Sequence, residues 1–374
     1  MKAVRSQIAV KKPISYSYTS KRTLSSNNSF RPVFTSISRH PKKAHHVMPP
    51  TSQHIPCVQP QISKASLTIS ATSLNNTKSQ QPTVHSIYEP KTGTWQYLVA
   101  DFTTLQAIII DPVLDYDACT HTISTRTADS LISMIAQHGY TISKILETHA
   151  HADHLTAASY LQHRLEKIQS NKPPICIGKR ITQIQEVFGA RYGVKKEEWN
   201  GVFDELFEDG EEFEIGKVRV RVVHLPGHTP DHVGYIVGDN VFCGDSIFHA
   251  DIGTARCDFP GGNARDLYRS VQKLMHLPDH VKIWTGHDYV SKEREEPVAW
   301  TSVREHKERN KWLAQDIKIE QFVERRMEKD RRLAAPKLLH PSLQVNIRAG
   351  RLPSLTNLGH RFLSLPLRVE GGLW

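Results

Sequence analysis

Three histidines and an aspartate fall within six residues, 149–154, in the stretch ETHAHADHLTAA that follows the short apolar run ISKILET. In an extended segment alternate side chains point the same way. His149 and His151 can therefore address one point, and Asp153 and His154 fall where LTAASYLQHRL begins as a helix. Imidazole and carboxylate at this density suit zinc, iron, manganese or nickel. Three more candidate ligands arise in the same way, each just after a short apolar run. His228 lies in HLPGHTPDH after a strand at 218–223, Asp245 in FCGDSIF after 241–243, and His287 in WTGHDY after 282–285. A chain that aims seven such groups at one place needs a rigid sheet framework with its loops gathered at one edge.

The remaining pattern supplies that framework. TWQYLVAD and LQAIIIDPV read as strands bounded by turn residues, and KVRVRVVHLPGH alternates strictly, with Val218, Val220 and Val222 on one face. VGYIV, VFCGD and VKIWTGH add further short strands. Residues 127–138 carry Leu131, Ile132, Ile135 and Ala136 at helical spacing, with Thr127 as the expected N-cap and Gly139 as the stop. ARDLYRSVQKLMHL reads as another helix. Strands mixed with helices, without one βαβ rhythm, predict a layered α/β fold with mixed sheets.

The net charge of +10 is not spread over this framework. The first acidic residue is Glu89, and residues 1–88 hold 12 Lys and Arg; the rest of the chain holds 36 basic and 38 acidic side chains. The folded part is therefore nearly neutral, which excludes a basic nucleic-acid-binding face read from bulk charge. Residues 1–84 read as a disordered, basic, Ser- and Thr-rich segment with the composition of a mitochondrial transit peptide. A cytoplasmic chain with a basic tail is the alternative. No stretch approaches the roughly 18 apolar residues of a spanning helix. The five cysteines, Cys57, Cys119, Cys176, Cys243 and Cys257, form no CxxC pair and fit a reducing compartment. Cys243 and Cys257 read as structural, and Asp231 and His232 as loop decoration. Residues 85–312 are expected to form the catalytic domain. Residues 313–374, helical at 317–334 and then punctuated by Pro336, Pro341, Pro353 and Pro366, are expected to form an extension packed on it.

With His149, His151, Asp153, His154, His228, Asp245 and His287 in this order, residues 85–312 resemble the metallo-β-lactamase superfamily, which implies an αββα sandwich of two mixed sheets flanked by helices. GTARCDFPGG at 253–262, with Arg256, Asp258 and Phe259, and GHDY at 286–289 resemble the persulfide dioxygenase branch. Glyoxalase II, the next most similar branch, typically carries a GRFFEG-like stretch and GHEY there. LQVNIRAGRLP resembles an extension found in some members of the dioxygenase branch. This resemblance implies one non-haem Fe(II) held by His149, His228 and Asp245, with His151, Asp153, His154 and His287 orienting ligands and substrate. It implies oxidation of glutathione persulfide by dioxygen to sulfite and glutathione, in hydrogen sulfide catabolism. Arg256 is then expected on a glutathione carboxylate, an internal pair with Asp258 being its alternative, and Tyr289 near the sulfur. The glyoxalase II-like alternative makes His151, Asp153, His154 and His287 ligands of a second divalent metal, Zn or Fe, with Asp245 bridging, for cleavage of a glutathione thioester. A homodimer is compatible with either reading.

Overall fold

The computed structural model describes residues 81–291, 294–313, 317–367 and 369–371. The expected disordered tail therefore lies outside the described residues, apart from its last few positions. Along the chain run β1 (Thr83–Glu89), β2 (Thr94–Ala100), β3 (Gln106–Ile110), β4 (Val113–Asp117), β5 (Thr122–Ser124), α1 (Arg126–His138), β6 (Thr141–Leu146), β7 (Leu155–Thr156), α2 (Ala158–Gln169), β8 (Ile175–Gly178), α3 (Ile181–Tyr192) and β9 (Glu205–Phe207). There follow β10 (Glu212–Ile215), β11 (Val218–His224), β12 (Val233–Val237), β13 (Asn240–Phe242), α4 (Ala264–Met275), β14 (Lys282–Trp284), β15 (Trp300–Ser302), α5 (Val303–Arg309), α6 (Ile319–Asp330) and α7 (Leu339–Asn346).

Besides a three-stranded sheet of order β5-β4-β7, one large sheet has the order β1-β2-β3-β6-β8-β9, and the other β10-β11-β12-β13-β14-β15. Both are mixed: β3, β6, β8 and β9 pair in parallel in the first, and β13 with β14 in the second. Strand β2 shows why this is a sandwich. All seven of its residues are buried, as a strand covered on both faces requires. Trp95, Tyr97 and Val99 meet Val218, Val220 and Val222 of β11 and Phe242 of β13 between the sheets. Leu98 and Ala100 point the other way, into a core with Leu131 of α1, Leu161 of α2 and Phe188 of α3. On the far side of the second sheet, Val241 and Ile283 pack with Leu267 and Val271 of α4 and Phe322 of α6. The layers are thus helix, sheet, sheet, helix. In β11 the strict alternation holds, with the three valines inside and Arg219 and Arg221 exposed.

Two local expectations are corrected. Helix α1 starts one residue before Thr127, with Thr125 at the cap position and Gly139 closing it in the left-handed region at φ 68°. Thr127 lies in the first turn, where its backbone N–H and its hydroxyl both donate to the Asp115 carboxylate of β4, at 2.9 and 2.8 Å. A side chain from another element thus does the capping that sequence-local reasoning gave to Thr127. Asp115→Ala should cost about 1 kcal/mol, read as a lowered urea midpoint at unchanged slope. The second correction concerns 155–156. These residues are not a helix start but a two-residue strand paired with β4, and α2 begins only at Ala158. Asp153 and His154 therefore lie in the loop before a strand.

The segment after 313 shares its cores with the rest. Phe322 packs with the α4 cluster, and Leu343, Val345 and Ile347 join the core beneath α2 and α3.

Candidate metal centre

All seven candidate ligands lie in loops that follow the C-terminal ends of β6, β11, β13 and β14. The ends of these strands come together because both sheets present the same edge. Close backbone approach is built in at Gly286, where an added Cβ would lie 2.4 Å from Asp245 Oδ1.

Ligand atoms of His149, His228 and Asp245 lie within 4.8 Å of one another, and all three residues are buried. Each histidine has its tautomer fixed. Thr148 Oγ1 donates to Asp111 Oδ2 at 2.8 Å and so accepts from His149 Nδ1 at 2.9 Å. Nδ1 of His228 donates to the Arg256 carbonyl at 2.8 Å. Both Nε2 lone pairs are thereby left for a ligand. His149 Nε2 and His154 Nε2 are buried without a hydrogen-bond partner among the described residues. Burial, then the neighbouring His151 and His232 rings, hold His149 well below the usual imidazole range, in the neutral form that binds metal. Two imidazoles, one carboxylate and orphaned buried nitrogens fit a divalent metal.

Around this set, His287 Nε2 lies 3.1 Å from Asp153 Oδ2 and 3.5 Å from Asp245 Oδ1, and His154 Nδ1 lies 3.4 Å from Asp153 Oδ2. Atoms of His151, Asp153 and His154 form a second group within 4.8 Å. His151 is also committed elsewhere. Its Nε2 lies 3.1 Å from Asp111 Oδ1 and 3.2 Å from Glu147 Oε2, all three side chains being buried. Burial alone would lower its pKa, but the two carboxylates outweigh burial and raise it well above the ordinary value.

Sequence reasoning missed Asp111 and Glu147, although Asp111 ends an apolar strand as Asp245 does. It also misjudged Asp231 and His232, which are not loop decoration. Asp231 Oδ2 accepts the Ala150 N–H at 2.9 Å, and both side chains are buried. His232 Nε2 accepts the Asp245 N–H at 3.0 Å, and its ring stacks on His149 with centroids 4.7 Å apart. Cys243 and Cys257 behave as small buried side chains: burial pushes the Cys243 thiol up to about 12 and raises that of Cys257 further.

Asp153, His228 and Asp245 border a cavity of about 650 Å³ whose walls include Phe248, Tyr289 and Leu338. Arg256 lines it too, but its guanidinium faces Asp258, with Nε and Nη2 at 2.5 and 2.6 Å from the carboxylate oxygens and Nη1 donating to the Ala334 carbonyl at 2.8 Å. The internal pair named as its alternative is therefore present. Tyr289 is half-exposed, its ring stacked on His287 at 5.8 Å and 4°. Burial, then Asp153 and Asp245, raise its hydroxyl pKa, so it stays a donor. Behind it, Arg294 joins two loops: it makes two 2.6 Å bonds to Asp288 and bonds of 2.8 and 3.2 Å to Asp251.

Residues 90–287 match the model of the metallo-beta-lactamase superfamily. The chain belongs to this superfamily. As a member, it is 39% identical over 282 residues to "Glyoxylase B2" of Dictyostelium discoideum, an alignment covering 75% of this chain and 94% of that one. It is 30% identical over 209 residues to the mitochondrial "Persulfide dioxygenase ETHE1" of Homo sapiens, covering 55% and 68%. The crystal structure of ETHE1 from Myxococcus xanthus superposes with a TM-score of 0.57 at 28% identity, covering 72% of this chain and all of that one. The superfamily's α/β fold and a donor set for divalent metal are thus both in place. Among the described residues, no helix is long and apolar enough to cross a membrane.

Proposed function

We propose that this superfamily member is a non-haem iron dioxygenase that oxidises glutathione persulfide to glutathione and sulfite. The observation that carries the reading is the grouping of His149, His228 and Asp245, whose ligand atoms lie within 4.8 Å of one another. His151 turns its Nε2 to Asp111 and Glu147 and keeps only Nδ1 free, and two imidazoles with one carboxylate are the donor set of non-haem iron oxygenases. Overall, one persulfide, one dioxygen and one water give one thiol and one sulfite. Iron held by these residues supplies the one-electron and dioxygen chemistry that side chains cannot. The chain's own groups do the rest. Asp153 and His287 hold each other at the cavity floor, Tyr289 offers a hydroxyl proton to the substrate, and Phe248 and Leu338 keep the sulfur out of bulk water. Arg256 is kept as a contact for a glutathione carboxylate through a share of its already paired fork.

Two observations favour a second reading. His151, Asp153 and His154 form a further ligand group, and the Dictyostelium relative bears a glyoxalase name. In this reading His151, Asp153 and His154 would help hold a second metal, and the pair would supply the hydroxide chemistry for cleaving a glutathione thioester. Iron-loaded protein, given glutathione persulfide in an oxygen electrode and S-lactoylglutathione in a parallel hydrolysis assay, separates the two. Oxygen uptake with sulfite formation and no thioester cleavage is the expected result; thioester cleavage alone assigns the hydrolase. The composition of residues 1–88 and the name of the human relative support a mitochondrial location. A fusion of these residues to a fluorescent protein should enter mitochondria, and a cytoplasmic signal would overturn that placement.

A further inference from the structure

Five residues of the centre and its surroundings, Glu147, His149, His151, Asp153 and His154, lie on one loop, and that loop is held from far along the chain. Asn346, at the end of α7, uses both side-chain N–H bonds on it: Nδ2 donates to the carbonyls of His151 and His154, each at 2.8 Å. Its Oδ1 accepts the backbone N–H of Thr156 at 2.9 Å. Asn346 is buried. It is itself anchored, because Gln185 of α3 donates from Nε2 to the carbonyl of Ile347, the next residue, at 2.9 Å. Leu343, Val345 and Ile347 pack with the core beneath α2 and α3. These residues lie outside the span matched by the superfamily model.

A carbonyl that accepts from a fixed donor fixes the peptide plane, and the peptide plane fixes where the adjoining side chains leave the backbone. We propose that Asn346 is a positioning residue of the metal centre, with α7 serving to hold the ligand loop in its metal-binding conformation. The proposal rests on the reading of this site as a metal centre, not on which reaction it catalyses. It gives the LQVNIRAGRLP stretch a role that composition and spacing leave blank.

The test is cobalt(II) affinity of the metal-free full chain, measured by chelator competition. Asn346→Asp keeps an acceptor for Thr156 and removes both donors; Asn346→Ala removes all three bonds. Both should lower affinity at least about tenfold, the scale on which groups behind metal ligands act. Val218→Ala, a change in the core between the sheets, whose cluster includes no residue of the 147–154 loop or of α7, should melt lower yet bind cobalt within about twofold of wild type. If both Asn346 variants fail to fold, Leu343→Ala, which loosens α7 from its core, takes their place with the same expectation. Wild-type affinity in a folded variant would overturn the proposal, as would an equal loss in Val218→Ala, which would mark a general stability effect. A wild-type chain that takes up no cobalt would instead overturn the metal-centre reading, and this inference with it.

Discussion

Asp245→Ala should lose its metal and, with it, essentially all oxygen uptake, by a factor on the order of 10³ or more, the scale of losing one preorganised electrostatic group. Asp245 combines three relations that no other residue replaces. Its Oδ2 lies 3.7 Å from His228 Nε2, its Oδ1 lies 3.5 Å from His287 Nε2, and its N–H fixes the ring of His232 that stacks on His149. The methyl group of alanine leaves two neutral imidazoles, which hold a hard divalent ion poorly. Metal analysis of the purified variant, beside an oxygen electrode trace, checks the expectation. Retained metal with retained turnover would remove Asp245 from the ligand set. Because the backbone N–H is kept, the His232 contact survives and the fold should be near wild-type in stability.

Arg294→Met should have the largest effect on stability, on the order of 3–5 kcal/mol, because it leaves buried carboxylates without their cation. Asp288 is fully buried, and Asp251 is mostly so. Asp251 also accepts bonds from His249 and Ser291, and Asp288 from the Val298 N–H, but those donors do not supply its charge. A melting temperature lowered by roughly 10 °C follows from that loss for a domain of this size. The two loops that Arg294 joins carry Phe248 on one side and Tyr289 on the other, so the cavity should also widen. KM for glutathione persulfide should rise more than kcat falls. Melting curves and steady-state kinetics check the two parts separately, and an unchanged melting temperature would show that water or another donor compensates the carboxylates.

The parts of the site legible in the sequence were those written in local pattern. Each candidate ligand followed a short apolar strand, and such strands end at one sheet edge, so position along the chain was enough to gather His149, His228, Asp245 and His287. The strands themselves were legible because β2 is mostly apolar and β11 alternates, two patterns that correspond to two-sided and one-sided burial. What escaped depends on partners remote in sequence. Thr127 was given a capping role that belongs to Asp115, since nothing local reveals a carboxylate arriving from β4. Asp153 and His154 were placed at a helix start, whereas pairing with β4 and the hydrogen bond that the Thr156 N–H donates to Asn346 hold 155–156 extended. Asp231 and His232 looked incidental because their burial and stacking exist only once the two sheets close on each other. The turning of His151 toward Asp111 and Glu147 is of the same kind: the spacing made it a ligand candidate, and the tertiary carboxylates decide where its nitrogen points.

The order in which the chain supplies the centre has a consequence for how a metal reaches it. The first sheet brings the 147–154 loop, the second brings His228, Asp245 and His287, and α7 brings Asn346 last. Neither half of the molecule holds the set of His149, His228 and Asp245, which exists only once both sheets have closed, whereas His151, Asp153 and His154 share one loop. An ion held by that set would be acquired only after the two sheets have closed. Its identity would then follow the metal pool of the compartment where the chain reaches its native state, whatever pool surrounds the ribosome.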